Sequence, residues 1–555
     1  MRAKLLLSLM LSLPLGCQAA DFNWSAFGTA GYAISDQPYD YQRFISNQGT
    51  FNRDSVFGAQ LDVKFSPQWG AAVQAKLAPS DHSDTQWTGY LSWAFISWRP
   101  MDDLLIRAGK LRVPLMLNTE NQDVGATYDW ARLPVEVYSI APTTDFTGLS
   151  LSKSWFVREM EWTLEGYTGV ATNYTRYWGR DVRDGQAFPG AWFEKLNVKS
   201  TGLVLTARGL ENLFRAGVHQ ARVSQPGGTI LDIPYQSIAP GVGFYDIQNG
   251  IPADHFHIPY QSLGASVLVP GEVRLTGEYA RIKVPTASKG MTRWGAYLAV
   301  SRQFGAWTPY VYYAKTKSSG NSLDNYQVIN GNTSPMFPPE LNAYQRLNAD
   351  IYSPYDQSTT ALGTSYRYGA HSLIKAELSQ TRTGIVSSFI DAPPVAIVTI
   401  RRSISSPSHT TSRSERPAML KNLIAMALFG MIAHSVWAED SFVLVGHSAL
   451  QKTDLASLQR LYTGRILTLN QQPATPLSLP PGNAIRQQFL KTILGQNEEQ
   501  YSGYWLVRRY VGKGTPPQEV ASPEEIIRIV GSTPGAVGYL PATKVPAGSN
   551  IIFSP

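Results

Sequence analysis

From about residue 22 to residue 382 apolar and polar positions alternate with a period of two. In GEVRLTGEY, Val273, Leu275, Gly277 and Tyr279 would line one face of an extended backbone, and Glu272, Arg274, Thr276 and Glu278 the other. Residues 160–170 repeat the pattern, with Trp162, Leu164, Gly166 and Val170 set against Glu161, Thr163, Glu165 and Tyr167. Such segments begin near residues 22, 53, 69, 86, 103, 146, 160, 199, 212, 260, 271, 293, 307, 358 and 372, most of them ten to thirteen residues long. Soluble strands run to about 5–6 residues. A tilted strand that crosses a bilayer needs about 9–11.

The connections between these segments alternate in length. Short turns fall at 66–68, 99–102, 157–159, 209–211, Pro270, 304–306 and 369–371. Long connections fall at 35–52, 113–145, 171–198, 223–259 and 318–357, with shorter ones near 79–85 and 284–292. Trp69, Trp98, Trp155, Trp294, Trp307, Tyr366 and Tyr368 gather at strand ends. One-sided loops, long strands and aromatic ends predict an all-β transmembrane antiparallel barrel, oily towards lipid and polar within. An even strand number, about sixteen, is expected. The sixteenth strand should follow the outer connection at 383–394, yet VAIVTIRRSISSPSHTTSRSERPA stands there, and only VAIVTI is strand-like. The closing strand is therefore missing or altered.

Over residues 21–394 the chain resembles the Gram-negative outer-membrane porins, in architecture and in the run LLIRAGKLRVPLMLNTENQDVGATYDWARLPVEVY at 104–138. The resemblance implies passive diffusion of small hydrophilic, even anionic, solutes across an outer membrane, and an inward-folded third outer loop, here 113–145. That loop carries Glu120, Asp123, Asp129, Arg132 and Glu136, and the strand before it places Lys110 and Arg112 on one face. Cations on the wall opposite carboxylates on an inserted loop would set a transverse field and select solutes by charge and size. The alternative is that these are ordinary solvated loop charges. Homotrimer and monomer both stay open.

Two export signals stand in one chain. Residues 1–20 carry Arg2 and Lys4, an apolar core, and Ala19–Ala20. Residues 419–438 repeat the layout with Lys421, a short apolar core and a small-residue site ending at Ala438. The second stretch is too short to span a bilayer. The Ser/Arg-rich junction at 395–418, read one base out of frame, can spell an alternating strand with an aromatic end. We therefore expect two adjacent genes, each with its own leader, joined by a frameshift. An intact single reading frame on resequencing removes that explanation in favour of a genuine fusion.

Residues 439–555 change period. SFVLVG reads as a buried strand, and DLASLQRLYTG as a helix capped by Asp454. PLSLPPGNAIRQQFLKTIL reads as strand, turn and helix. SPEEIIRIVG reads as a helix capped by Ser522, and GAVGYLP as a strand. The expectation is a small α/β domain. It resembles the periplasmic phosphate-binding proteins of ABC transporters through LYTGR, GNAIRQQF and GAVGYLP. The resemblance implies an oxyanion held at a helix N-terminus, with Ser448, Gly482, Asn483 and Arg486 as anion-binding residues. Gly482, Arg486 and Phe489 fit the family pattern; Asn483, Ala484 and Ile485 replace its Ser, Gly and Thr, so hydroxyl donors are lost.

The net charge of +7 does not mark a nucleic-acid binder. The first leader contributes +2, residues 395–438 contribute +4 and the tail +2, leaving residues 21–394 near neutrality at −1. The only cysteine, Cys17, lies in the leader, so no disulfide or thiolate chemistry is expected after export. His255 and His257 lack a third metal ligand, and there is no nucleophile elbow or nucleotide-binding loop, so neither an enzyme nor a cofactor is expected. Two functions compete: a diffusion channel with an appended oxyanion-binding module, and a periplasmic phosphate-binding protein for which the barrel is only an anchor.

Overall fold

The computed structural model describes residues 20–158, 160–183, 186–187, 190–284, 287, 289–369, 372–391 and 441–555. The first leader up to residue 19, the junction at 395–418 and the second leader-like stretch at 419–438 lie outside the described residues.

Fifteen long strands form one sheet whose spatial order is the chain order. They are β1 (Asp21–Thr29), β2 (Val56–Lys64), β3 (Trp69–Pro79), β4 (Trp87–Met101), β5 (Leu104–Arg112), β6 (Asp145–Val157), β7 (Met160–Gly179) and β8 (Gly190–Arg208). The sheet continues with β9 (Leu213–Ser224), β10 (Phe256–Val269), β11 (Val273–Ile282), β12 (Arg293–Arg302), β13 (Trp307–Ser318), β14 (Tyr355–Gly369) and β15 (Ser372–Ser387). Each adjacent pair is antiparallel, as in β7–β8, which runs from Gly179↔Gly190 to Glu161↔Arg208.

The strand faces are inverted relative to a soluble protein. On β12, Leu298 and Val300 are exposed while Arg293, Tyr297, Ala299 and Ser301 are buried. On β11, Leu275 faces out while Thr276 and Glu278 face in. Leu149, Leu151, Leu203, Val218, Leu263, Leu362 and Ile374 extend this outer apolar surface. An exterior of this kind is stable only against lipid or detergent. Aromatic pairs flank the short turns: Trp69 stacks on Trp98 with ring centroids 5.4 Å apart, and Trp307 lies 4.6 Å from Tyr366.

Two expectations need correction. The outer connection predicted at 171–198 is mostly strand, because β7 and β8 run on together beyond the apolar zone. Tyr174, Thr175 and Arg176 there alternate no oily face, so the period-two signal ends before the hydrogen bonding does. The outer connection between β13 and β14 folds two helices that alternation did not predict, α2 (Gly320–Gly331) and α3 (Pro339–Ile351).

The sheet also stops short of a closed barrel: β1 and β15 are its two edges and do not pair. At the outer rim the edges are tied indirectly, since Asp40–Tyr41 pairs with Ile390–Asp391. The place expected for a sixteenth strand, after the connection at 383–394, lies outside the described residues.

A row of glycines lets the wall bend. Gly109, Gly148 and Gly169 stand side by side on β5, β6 and β7. Gly109 has φ +136°, and a Cβ there would lie 2.2 Å from the Ala94 carbonyl oxygen. Only glycine fits such a position, and glycine in a strand marks a sharp bend or close approach.

Residues 441–555 form a mixed sheet with helices on it. Its strands are β16 (Phe442–Gly446), β17 (Thr475–Ser478), β18 (Gln518–Glu519), β19 (Ala536–Pro541) and β20 (Ile551–Phe553), in the order β18-β17-β19-β16-β20. The helices are α4 (Leu455–Tyr462), α5 (Ala484–Phe489), α6 (Glu498–Tyr510) and α7 (Pro523–Ser532). Asp454 and Ser522 cap α4 and α7, as their positions before apolar-periodic runs predict. Leu444, Leu458, Tyr462, Leu477, Phe489, Ile526 and Tyr539 fill a core separate from that of the large sheet.

Candidate functional site

The connection from Val113 to Thr144, between β5 and β6, folds into the concave side of the sheet. Leu115, Met116, Trp130, Val137 and Ile140 give it an apolar body, packed on Phe146, Tyr260, Tyr297, Tyr310 and Tyr312 of the inner wall. A single helical turn, α1 (Val135–Tyr138), follows Pro134 and carries Glu136.

Each charged group singled out in the sequence has a partner. Arg112 on β5 pairs with Asp123 on the loop, and Lys76 on β3 reaches the same carboxylate at 2.7 Å. Lys110 pairs with Asp145 at 3.2 Å. Glu120 meets Arg215 on β9 at 3.2 Å. Asp129 accepts a hydrogen bond from Ser365 on β14 at 2.9 Å. Arg132 donates to Asp54, with Nε to Oδ1 at 2.9 Å. Glu136 accepts from Gln357 Nε2 at 2.7 Å and from Thr359 Oγ1 at 2.5 Å, both on β14. Wall cations and loop carboxylates meet in direct contact at Arg112 and Lys76 with Asp123 and at Arg215 with Glu120, not set apart across open space.

Other anchors were not singled out in the sequence. Glu278 on β11 accepts from the Leu117 amide at 2.6 Å, from Tyr138 at 2.6 Å and from Tyr297 at 2.8 Å. Lys375 on β15 donates to the carbonyls of Gly125 and Trp130 at 2.7 and 2.8 Å and lies 4.1 Å from the Tyr128 ring centroid. Arg293 on β12 donates to the Ser139 carbonyl at 2.5 Å. Deeper in, Arg107 and Glu165 form a buried pair at 2.7 Å, with Ser150 also donating to Glu165. The available signal was a charge at the polar phase of a strand: Arg107, Glu165, Arg215, Glu278 and Lys375 all occupy such positions. A loop held from β3 round to β15 lies across the bore, because strands so far apart in the sheet reach it only from a curled wall.

The tail residues tell a different story. Asn483 Oδ1 accepts from the amides of Ile485 and Arg486 at 2.9 and 3.3 Å. These are amides that an oxyanion at the start of α5 would use. Arg486 is buried and engaged by Glu498 at 2.7 Å, Glu519 at 3.0 Å and the Leu479 carbonyl at 2.6 Å. Burial works against its charge, yet the two carboxylates hold the guanidinium above its ordinary range. Gly482, with φ +87°, makes the turn before Asn483, and Ser448 is exposed in the turn after β16. Asn483, where the resemblance to phosphate-binding proteins leads to the expectation of an anion contact, thus caps the start of α5 itself.

No family model matches the chain, and no curated protein matches it. Solved structures to which it is similar include a loop L8 deletion mutant of OmpT, an outer-membrane protein of Vibrio cholerae (10% identity, 66% of this chain and 95% of that one, TM-score 0.37). OprB of Pseudomonas putida at high pH gives 9% identity over 67% of this chain and 90% of that one, TM-score 0.37. The outer membrane channel DcaP of Acinetobacter baumannii gives 9% identity over 65% and 91%, TM-score 0.35.

Proposed function

We propose that residues 21–391 form an outer-membrane channel for passive diffusion of small hydrophilic solutes, anions among them. The observation that supports this best is the inverted wall, oily outside and charged inside, together with a loop held across its interior by groups on strands from β3 to β15. A polar bore in lipid admits water, and a folded loop across it sets a size limit. Lys110, Arg112, Glu120, Asp123, Asp129, Arg132 and Glu136 are the constriction residues in this reading. Arg107, Glu165, Arg215, Glu278 and Lys375 hold or extend the constriction.

The purified full chain, reconstituted in a planar bilayer, is expected to give discrete conductance steps. Lys375→Glu is expected to move the reversal potential in a salt gradient towards cation preference. A membrane that stays at its bare leak at every voltage, with Lys513→Glu as well as with the parent chain, overturns the channel, and is the result that a plain membrane anchor would give.

A further inference from the structure

The tip of α6 enters the bore from the short-turn side. Tyr510 donates to the Ala26 carbonyl of β1 at 3.1 Å, and its ring meets Phe27 edge-on at 5.5 Å. The Arg509 carbonyl accepts from Gln60 of β2 at 3.0 Å, and the Val511 carbonyl from Arg107 of β5 at 3.3 Å. Gly512, with φ +66°, lies so close to Phe95 of β4 that a Cβ would sit 2.4 Å from the ring. Lys513 then points between Glu120 of the inserted loop and Glu165 of β7, at 3.7 and 3.8 Å. Gln60, Phe95, Arg107 and Glu165 are all buried inner-wall side chains.

The rest of the tail seats on the rim with matched charge. Asp102 in the β4–β5 turn accepts from the Leu467 amide at 2.8 Å and from Thr468 Oγ1 at 2.5 Å. Arg465 faces Glu161 at 3.3 Å, Arg367 faces Glu499 at 2.7 Å, and the Arg460 guanidinium lies 4.0 Å from the Phe156 ring centroid. Between the inserted loop, the wall and the tail lies a cavity of about 90 Å³, whose lining includes Arg99, Arg208, Arg215, Arg465, Arg508 and Lys513. At roughly 30 Å³ per water, that holds a few molecules.

We propose that the turn-side rim of the barrel is a docking surface for residues 441–555, and that the docked body stoppers the channel with its 509–513 tip. The inference rests on the channel reading and adds a closed state to it. Lys513 is the charge that seats the stopper: it faces a wall and a loop carboxylate, Glu165 and Glu120, whose other paired cations among the described residues are Arg107 and Arg215. Since exposed parts of the contact are ionic, salt weakens the seat.

The test uses the full chain in a Cys17→Ser background, in planar bilayers. Lys513→Glu sets a third carboxylate against Glu120 and Glu165 and is expected to raise time-averaged conductance by roughly tenfold over the parent. Asp102→Cys with Thr468→Cys, added to that variant, is expected to cross-link under mild oxidation. Conductance is then expected to fall towards the parent level and to recover on reduction. Failure of the cysteines to cross-link overturns the docking whatever the conductance. A cross-link that forms and leaves conductance unchanged overturns the stopper while the channel stands. A cross-link that forms while no variant conducts in either redox state overturns the channel, and the closed state with it.

Discussion

Glu136 is nearly inaccessible at 1% exposure and answers two donors on β14, Gln357 and Thr359. Glu136→Ala removes the acceptor the two share, leaving Gln357 with Tyr41 and Thr359 with Thr381, and is expected to cost about 1–3 kcal/mol. The readouts are a lower unfolding temperature in detergent and passage of larger solutes in a vesicle-swelling assay. Lys289, in the outer connection after β11, is buried, and desolvation pulls its amine down to about 8, with Glu194 and Asp232 opposing. Between that value and the ordinary one near 10.5, the unfolded chain binds more protons than the folded one, so stability rises with pH across this window. Lys289→Met is expected to remove that rise, on the order of 3 kcal/mol, in unfolding curves recorded from pH 7 to 11. Asp454 has the same sign, in an acidic window. The Ser457 amide, foremost, holds its carboxyl below the usual range, so its contribution is present above the ordinary carboxylate pKa and lost as acid protonates the folded form. Asp454→Ala is expected to cost about 1 kcal/mol at neutral pH and nothing once the carboxyl is protonated.

At the level of elements, the glycine row carries the clearest mechanical expectation. Gly109→Ala must push a methyl against the Ala94 carbonyl at a backbone angle that side chains avoid. The expected cost is about 2 kcal/mol or more, read as loss of the heat-resistant folded band on a semi-native gel. The strands themselves were legible because lipid demands an oily residue at every second position, a rule that leaves a trace in Leu298 and Val300 as plainly as in Leu149 and Leu151. Where lipid ends, the rule ends. That is why the outer continuation of β7 and β8 around Tyr174 and Arg176, and the helices α2 and α3, left no period-two signal. The inserted loop was legible in position and charge, but its partners were not. Arg215 and Glu278 meet it only because the sheet curls, and curl is a property of the whole wall. In the tail, GNAIRQQF was legible as a turn into a helix. That Asn483 would close on its own helix depends on a side-chain rotamer that spacing does not encode.

For the whole molecule, the inverted wall and the separate core of residues 441–555 define two bodies with different solvents. Protease added to intact cells is expected to cut the outer connections and to spare the tail, which becomes sensitive only after the envelope is opened; a tail trimmed from outside would contradict a periplasmic placement. Mass measurement of the membrane-bound product decides whether both bodies belong to one polypeptide. The rim tie between Asp40–Tyr41 and Ile390–Asp391 bears on the same issue. It fixes Asp391 at the long-loop face, whereas the body that starts at Ser441 rests on the opposite, short-turn face. Fifteen passes from the turn side leave a thread on the far bank, and an odd number cannot bring it home. Two separately exported products reach these two faces with no further crossing.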